Sequence, residues 1–296
     1  MVGVDAPAST ETGAAYGLRL AGSFSPALAG LVAVSAEHAG WPLARLSWGE
    51  HVGPRPPEVR SAHCALVYTL GGFVSSRREP LAIDVRACYS PTAATVVHPY
   101  LASAARVVAH WTGRSSYYGG SFVLGEAAWA LLGKRGTGKT TLLCELARLG
   151  FPVLSDDVTV LDGMRALVGP RLLAVRDLTL ARGLAQLPER SSVAGLHLVR
   201  AGSCPTEAPF GGWVLLERGP RVSLKRLDAL ELVRRVAPWV SVCPDTPGLL
   251  LEWLALPAWV LELPEPGSVP GRDNVELAAV AVVEALLSFG LRQSQR

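Results

Sequence analysis

Cysteine is scarce. The 296-residue chain has five, Cys64, Cys88, Cys144, Cys204 and Cys243. The number is odd, no two lie close together and no C-x-x-C occurs, which argues against a disulfide framework or a zinc site. Small thiols in a reducing compartment are what remains. Lysine is rare beside arginine, and basic residues nowhere gather into a block. With a net charge of only +3, that argues against a nucleic-acid or membrane-surface patch. Charged residues make up 18% and hydrophobic ones 49%, so the chain is not of the disordered type and can bury a sizeable core. Long apolar runs are missing too. Residues 249–263 are interrupted by Glu252 and Pro257, and 277–287 by Glu284, so neither suits a bilayer span. Residues 1–13 lack the basic-then-apolar pattern of a signal peptide. The expectation is a soluble, cytoplasmic protein with no nucleic-acid and no membrane partner.

Length suggests one large domain or two ordinary ones. Residues 1–14 read as a frayed N-terminus, and 15–98 as a small sheet-rich domain of short alternating strands separated by Gly/Pro turns. Residues 99–114 read as a linking helix with Pro99 in its first turn, closing at Gly113. Residues 115–296 form the main α/β unit. There, strands at 117–124 and 127–132 make a hairpin, 177–189 reads as a short helix, and 274–289 as a closing amphipathic helix.

The main unit is organised around residues 127–162. A short apolar run leads into Gly133-Lys134-Arg135-Gly136-Thr137-Gly138-Lys139-Thr140, a full match to the phosphate-loop pattern G-x-x-x-x-G-K-[ST]. Such a loop needs many donors and little bulk. Glycines at 133, 136 and 138 let backbone N–H groups approach phosphates, and the following helix offers its positive end. Lys139 would reach the β- and γ-phosphates, and Thr140 would ligate Mg²⁺. Thr137 and Thr141 flank the tip as further phosphate contacts. Lys134 and Arg135 occupy variable positions outside the ring of donors. A second apolar strand ends in Asp156-Asp157. Adjacent carboxylates beside a phosphate loop suit two tasks, holding Mg²⁺ and taking a proton from an attacking hydroxyl. Arg171 and Arg176 follow the next hairpin within reach of a terminal phosphate. His98 and His110 flank the linking helix without a partner pattern, and no metal-ligand spacing or Ser/His/Asp trio is present.

The hairpin, the octet followed by Thr141-Leu142, Gly150, and a strand ending in Asp156-Asp157-Val158 resemble the kinase domain of HPr kinase/phosphorylase, which shares its phosphate-loop arrangement with phosphoenolpyruvate carboxykinase. Tyr16-Gly17-Leu18, residues 119–132 and Gly169-Pro170-Arg171 resemble the HPr-kinase-related proteins of bacterial peptide-biosynthesis clusters, including kinases that modify lasso-peptide precursors. The resemblance implies a mixed α/β fold whose C-terminal domain is HPr-kinase-like and whose N-terminal domain is small and sheet-rich. It implies an ATP- and Mg²⁺-dependent kinase acting on a hydroxyl, such as a serine, of a peptide or protein, and a homo-oligomer. In this reading the catalytic residues are Asp156 as base, Lys139 and Asp157. Gly133, Gly136, Thr137, Gly138, Lys139, Thr140, Thr141 and Arg171 bind the nucleotide, and Thr140 and Asp157 bind the metal. Two departures stand out. Tyr118 occupies the place where the family carries a histidine, and no counterpart of the C-terminal signature that recognises HPr is found. A non-catalytic ATP-binding accessory protein of a biosynthetic cluster and a small-molecule kinase stay open as alternatives.

Overall fold

The computed structural model describes residues 11–22, 30–54, 56–69, 71–191, 195–242, 247–265 and 273–293. Its first layer is an eight-stranded sheet in the order Val32–Ala33, Glu11–Ala15, Leu18–Gly22, Leu43–Glu50, Ala82–Ala87, Gly72–Arg77, Cys64–Thr69, Val59–Arg60. Period-two alternation is plain in Ala82–Ala87, where Ile83, Val85 and Ala87 are buried while Asp84 and Arg86 pair outside at 2.7 Å. The frayed N-terminus expected through residue 14 is corrected here. Glu11–Ala15 is a strand paired along its length with Leu18–Gly22, and residues 1–10 lie outside the described residues. Tyr16 and Gly17, at φ +54° and +76°, form the two-residue turn between them, which matches the strands' twist.

Thr92 starts the helical connection, its side chain accepting from the Thr95 N–H. His98 interrupts the connection in an extended conformation (φ −131°, ψ 116°). Pro99 follows it, and the proline ring disfavours a helical residue immediately before it. The helix then runs Ala102–Trp111 and stops at Gly113, φ +68°.

The second sheet begins with the hairpin Ser115–Leu124 and Ala127–Gly133. Ala127–Gly133 also pairs in parallel with Glu207–Arg218. Ser115–Leu124 pairs onward with Val158–Asp162, that strand with Arg165–Leu167, and that one with Glu207–Arg218, so the pairings of these strands close into a circuit. Ala258–Leu263 and Ser223–Arg226 extend the sheet. Leu172–Val175, Leu196–Arg200 and Gln186–Ser191 form a separate three-stranded sheet. The helix expected at 177–189 is therefore corrected. Only Leu178–Ala181 turns helically, capped by Asp177, because Gly183 sits at φ +84° and Pro188 cannot continue a helix.

One apolar core joins the first sheet, the linking helix and one face of the second sheet, with Tyr117, Trp213 and Trp253 at its centre. Tyr117 stacks edge-on against Trp213 and Trp253 at 4.7 and 5.5 Å. The other face is covered by the helices Lys139–Arg148 and Asp273–Gln293, through Leu142, Leu143, Leu146, Ala278, Val282 and Leu286. Arg114, nearly buried, ties the layers together by donating to Asp162 at 2.8 Å and to the Gly17 carbonyl at 2.6 Å. Among the described residues no helix is long and apolar enough to cross a membrane.

Candidate active site

The phosphate loop emerges from the buried strand Ala127–Gly133 and turns into the helix Lys139–Arg148 at Gly138. Gly138 takes φ +105°, a conformation that an L side chain resists. Thr137 folds inward and donates to the Lys134 carbonyl at 2.8 Å, so its hydroxyl braces the loop. Lys139 donates to the carbonyls of Gly133 and Lys134 at 2.6 and 3.1 Å. Arg218, at the end of the neighbouring parallel strand, donates to the Gly136 carbonyl at 2.6 Å and to Pro264 at 2.7 Å.

The carboxylate pair owes its place to a break in pairing. Val153–Ser155 and Val158–Asp162 both pair antiparallel with Ser115–Leu124, and Asp156-Asp157 bulges between them, opposite Gly119-Gly120. A Cβ on Gly120 would stand 2.6 Å from the Asp156 carbonyl oxygen and 2.8 Å from that of Ser155, so only glycine lets the strand pass this close. The expected second apolar strand ending in these aspartates is Val153–Ser155. It runs antiparallel to Ser115–Leu124, which separates it from the strand feeding the loop.

Asp156 is buried, with both oxygens engaged. Oδ1 accepts from the Thr140 hydroxyl at 2.8 Å and Oδ2 from the Ala174 N–H at 3.0 Å. Burial first and the neighbouring Asp157 second push its pKa up to about 6, against the pull of His98 and these hydrogen bonds. Asp157 is about one-third exposed, and its Oδ2 lies 3.2 Å from His98 Nδ1. Below the pair sits Tyr16, from the turn of the first sheet. Its phenol is held well above its ordinary pKa by burial, then by Asp157 and Asp156. Tyr118 projects into the cleft while Tyr117 points into the core, as alternation along a strand requires. Lys139 Nζ lies 5.8 Å from the Tyr118 ring centre. Burial, then Asp157, raise the Tyr118 phenol, so at neutral pH it is a hydrogen-bond donor and not a base.

His98, Tyr118, Lys139, Arg218 and the two aspartates line one cleft of about 460 Å³. Of the residues singled out in sequence, Gly136, Gly138, Lys139, Thr140, Thr141, Asp156 and Asp157 line it. Gly133 and Thr137 lie within the loop behind that lining. Arg171 is the correction. It is not among the lining residues, and its side chain is engaged with Cys204, whereas Arg176 does line the cleft. Arg135, placed outside the ring of donors by sequence, lines it as well. Sequence reasoning gave no weight to Arg218 and little to His98. His98 had one visible signal, its position before Pro99 where a helix must break. Arg218 had none, since its link to the loop crosses 82 residues.

The donor set, a threonine hydroxyl and two carboxylates, is all oxygen and suits a hard cation. Among the described residues no group of three or more His, Cys, Asp or Glu could hold a metal by itself. Two carboxylates and a hydroxyl are the kind of protein ligand that Mg²⁺ commonly takes beside substrate phosphates.

No protein-family model matches the chain, and no curated protein does. Among solved structures the chain is similar to the Hpr(Ser) kinase/phosphatase from Coxiella burnetii, with a TM-score of 0.35 and 14% identity, over 61% of this chain and 95% of that one. The likeness is distant, and a functional reading rests on the cleft itself.

Proposed function

We propose that the protein is a phosphotransferase that moves the terminal phosphoryl group of ATP to a hydroxyl, that of a serine in a peptide or protein. The observation carrying this reading is the hydrogen bond from Thr140 to Asp156, which joins the phosphate loop to the carboxylate pair. Backbone N–H groups of residues 136–140 and the Lys139 ammonium hold the phosphates. Lys139 exchanges its bonds to the loop's own carbonyls for phosphate oxygens. Arg176 and Arg218 reach the same cleft as further cations.

Thr140 and Asp156 would hold Mg²⁺, which when bound neutralises charge between the β- and γ-phosphates. The sequence reading gave Asp156 the role of base and Asp157 that of metal ligand, and the proposal reverses this. Asp156 has both oxygens committed and is bonded to the threonine. Asp157 is the more exposed of the two and is held by His98, so it faces an incoming hydroxyl. Asp157 takes the hydroxyl proton as the oxygen bonds to the γ-phosphorus. The bond from that phosphorus to the β–γ bridging oxygen breaks, and ADP leaves with the electron pair. His98 is a positioning residue that fixes the Asp157 carboxylate. The accessory-protein alternative drew on Tyr118 standing where the family has histidine. Here an imidazole reaches the carboxylate pair from another segment, which favours catalysis.

The test is transfer of label from γ-labelled ATP to serine peptides, with nucleotide affinity measured alongside. Transfer that disappears in Asp157→Asn while ATP still binds supports the proposal. ATP binding that survives Lys139→Ala unchanged would sink it.

A further inference from the structure

The cleft wall opposite the phosphate loop carries a cation that, among the described residues, no carboxylate neutralises. Arg106 lines the cleft, yet its Nε is buried and makes no hydrogen bond. Burial first and the like charge of Arg60 second lower its pKa, with the Tyr118 phenol acting the other way. Arg60 itself is paired with Glu58 at 3.1 Å, whereas among the described residues Arg106 has no carboxylate partner. A half-buried guanidinium whose Nε is sealed from water and which faces another cation destabilises a fold unless a bound group supplies the missing charge.

Its position says which bound group. Pro99, Ala102, Ser103 and Arg106 recur at helical spacing on one face of the linking segment, and all line the cleft. One end of this face begins at His98, which touches Asp157. The other ends at Arg106, with the small side chains of Ala102 and Ser103 between them as a floor. Cations from both walls act on Tyr118, Lys139 and Arg135 from the phosphate loop and Arg106 from the helix.

Resting on the kinase reading, we infer that the hydroxyl acceptor carries an anionic group, bound by Arg106, at a fixed distance from the hydroxyl that Asp157 activates. Seven residues of helix separate Pro99 from Arg106, a rise of about 10 Å. An extended peptide covers that in about three residues. The acceptor is thus an acidic segment with its anion about three positions from the serine.

Two matched peptides test this, each with a central serine flanked about three residues away on both sides by Glu or by Gln. They are titrated into the full chain with its phosphate loop filled by Mg²⁺ and a non-hydrolysable ATP analogue. The Glu peptide is expected to bind about ten- to a hundredfold tighter, the worth of a charge-assisted hydrogen bond. Arg106→Gln should erase that preference, leave nucleotide affinity unchanged and leave thermal stability equal or higher. Arg106→Lys, which lacks the planar fork, should restore part of the preference. A third peptide with phosphoserine in place of Glu separates the two sources of the anion, and tighter binding there assigns phosphate. Equal binding of the Glu and Gln peptides, binding of neither, or a loss of nucleotide affinity in Arg106→Gln would each overturn the inference. Arg106-dependent binding of the Glu peptide without phosphoryl transfer from ATP would instead keep the inference and remove the kinase reading.

Discussion

The two walls of the cleft are built on opposite principles. On the phosphate-loop wall, the polar groups are bonded within the protein. Lys139 caps two carbonyls, Thr140 and Ala174 satisfy Asp156, and Thr137 and Arg218 brace the loop. On the linking-helix wall, His98 touches one partly exposed carboxylate and the Arg106 Nε makes no hydrogen bond. The first wall is preorganised for a ligand of fixed shape, a phosphate chain. The second leaves its charges for the acceptor to complete. Preorganised donors add most where charge develops, while unpaired groups add selectivity because a wrong ligand leaves them unpaired.

The sharpest way to break this contrast is to exchange roles between the two aspartates. Asp157→Asn should lower the rate of transfer by about 10²- to 10⁴-fold, the usual worth of general-base catalysis. Nucleotide affinity should hold. Asp156→Asn should weaken magnesium-dependent nucleotide binding instead. Equilibrium binding and single-turnover transfer on both variants decide the matter. If Asp156→Asn spares binding and removes transfer, the assignment of the walls is wrong and the sequence reading of Asp156 as base is restored.

The difference between the walls also bears on what was legible in the chain before folding. The phosphate loop announces itself locally, because its function needs glycines and a lysine at fixed spacing within one turn. Asp156-Asp157 was legible by its distance from that loop, though the antiparallel bulge that exposes it was not. Gly119-Gly120 marks that bulge only when it is set opposite the aspartates. The helix wall has no local signature. His98 and Arg106 matter through partners 59 residues onward (Asp157) or 46 residues back (Arg60), and no periodicity carries such information. Arg171 shows the converse failure. Its position after the hairpin suggested a phosphate contact, but the turn at Gly169-Pro170 takes it to Cys204.

A smaller effect sharpens the comparison through pH. In the folded chain Asp156 has its pKa raised to about 6, while an unfolded aspartate titrates near 3.9. A raised pKa means that the folded state binds the proton more tightly. Its contribution to stability is therefore full below about pH 4 and is lost as pH rises through about 6. The total is roughly 3 kcal/mol for a shift of about two units. Denaturant unfolding without divalent cations should show wild-type stability falling across that window relative to Asp156→Asn, whose curve should be flatter. An identical slope in both proteins would mean that Asp156 is not the strained group on the loop wall.

The smallest expected effect falls on His98, and it tests whether the helix wall acts on the rate or only on the fold. His98 is nearly buried, and one ring nitrogen meets Asp157. Removing that contact should leave the carboxylate in place but free to rotate, so the loss should appear in kcat and not in KM for the nucleotide. His98→Ala should cost about tenfold, and His98→Gln, which keeps an N–H donor of similar reach, should recover part of it. A purely structural histidine would behave differently. Both variants would then lose thermal stability in step with activity, and Gln, which fits the ring's space poorly, would do no better than Ala. Measuring Tm beside kcat separates the two. A fall in KM affinity for ATP in either variant would place His98 on the loop wall and erase the division between the two sides of the cleft.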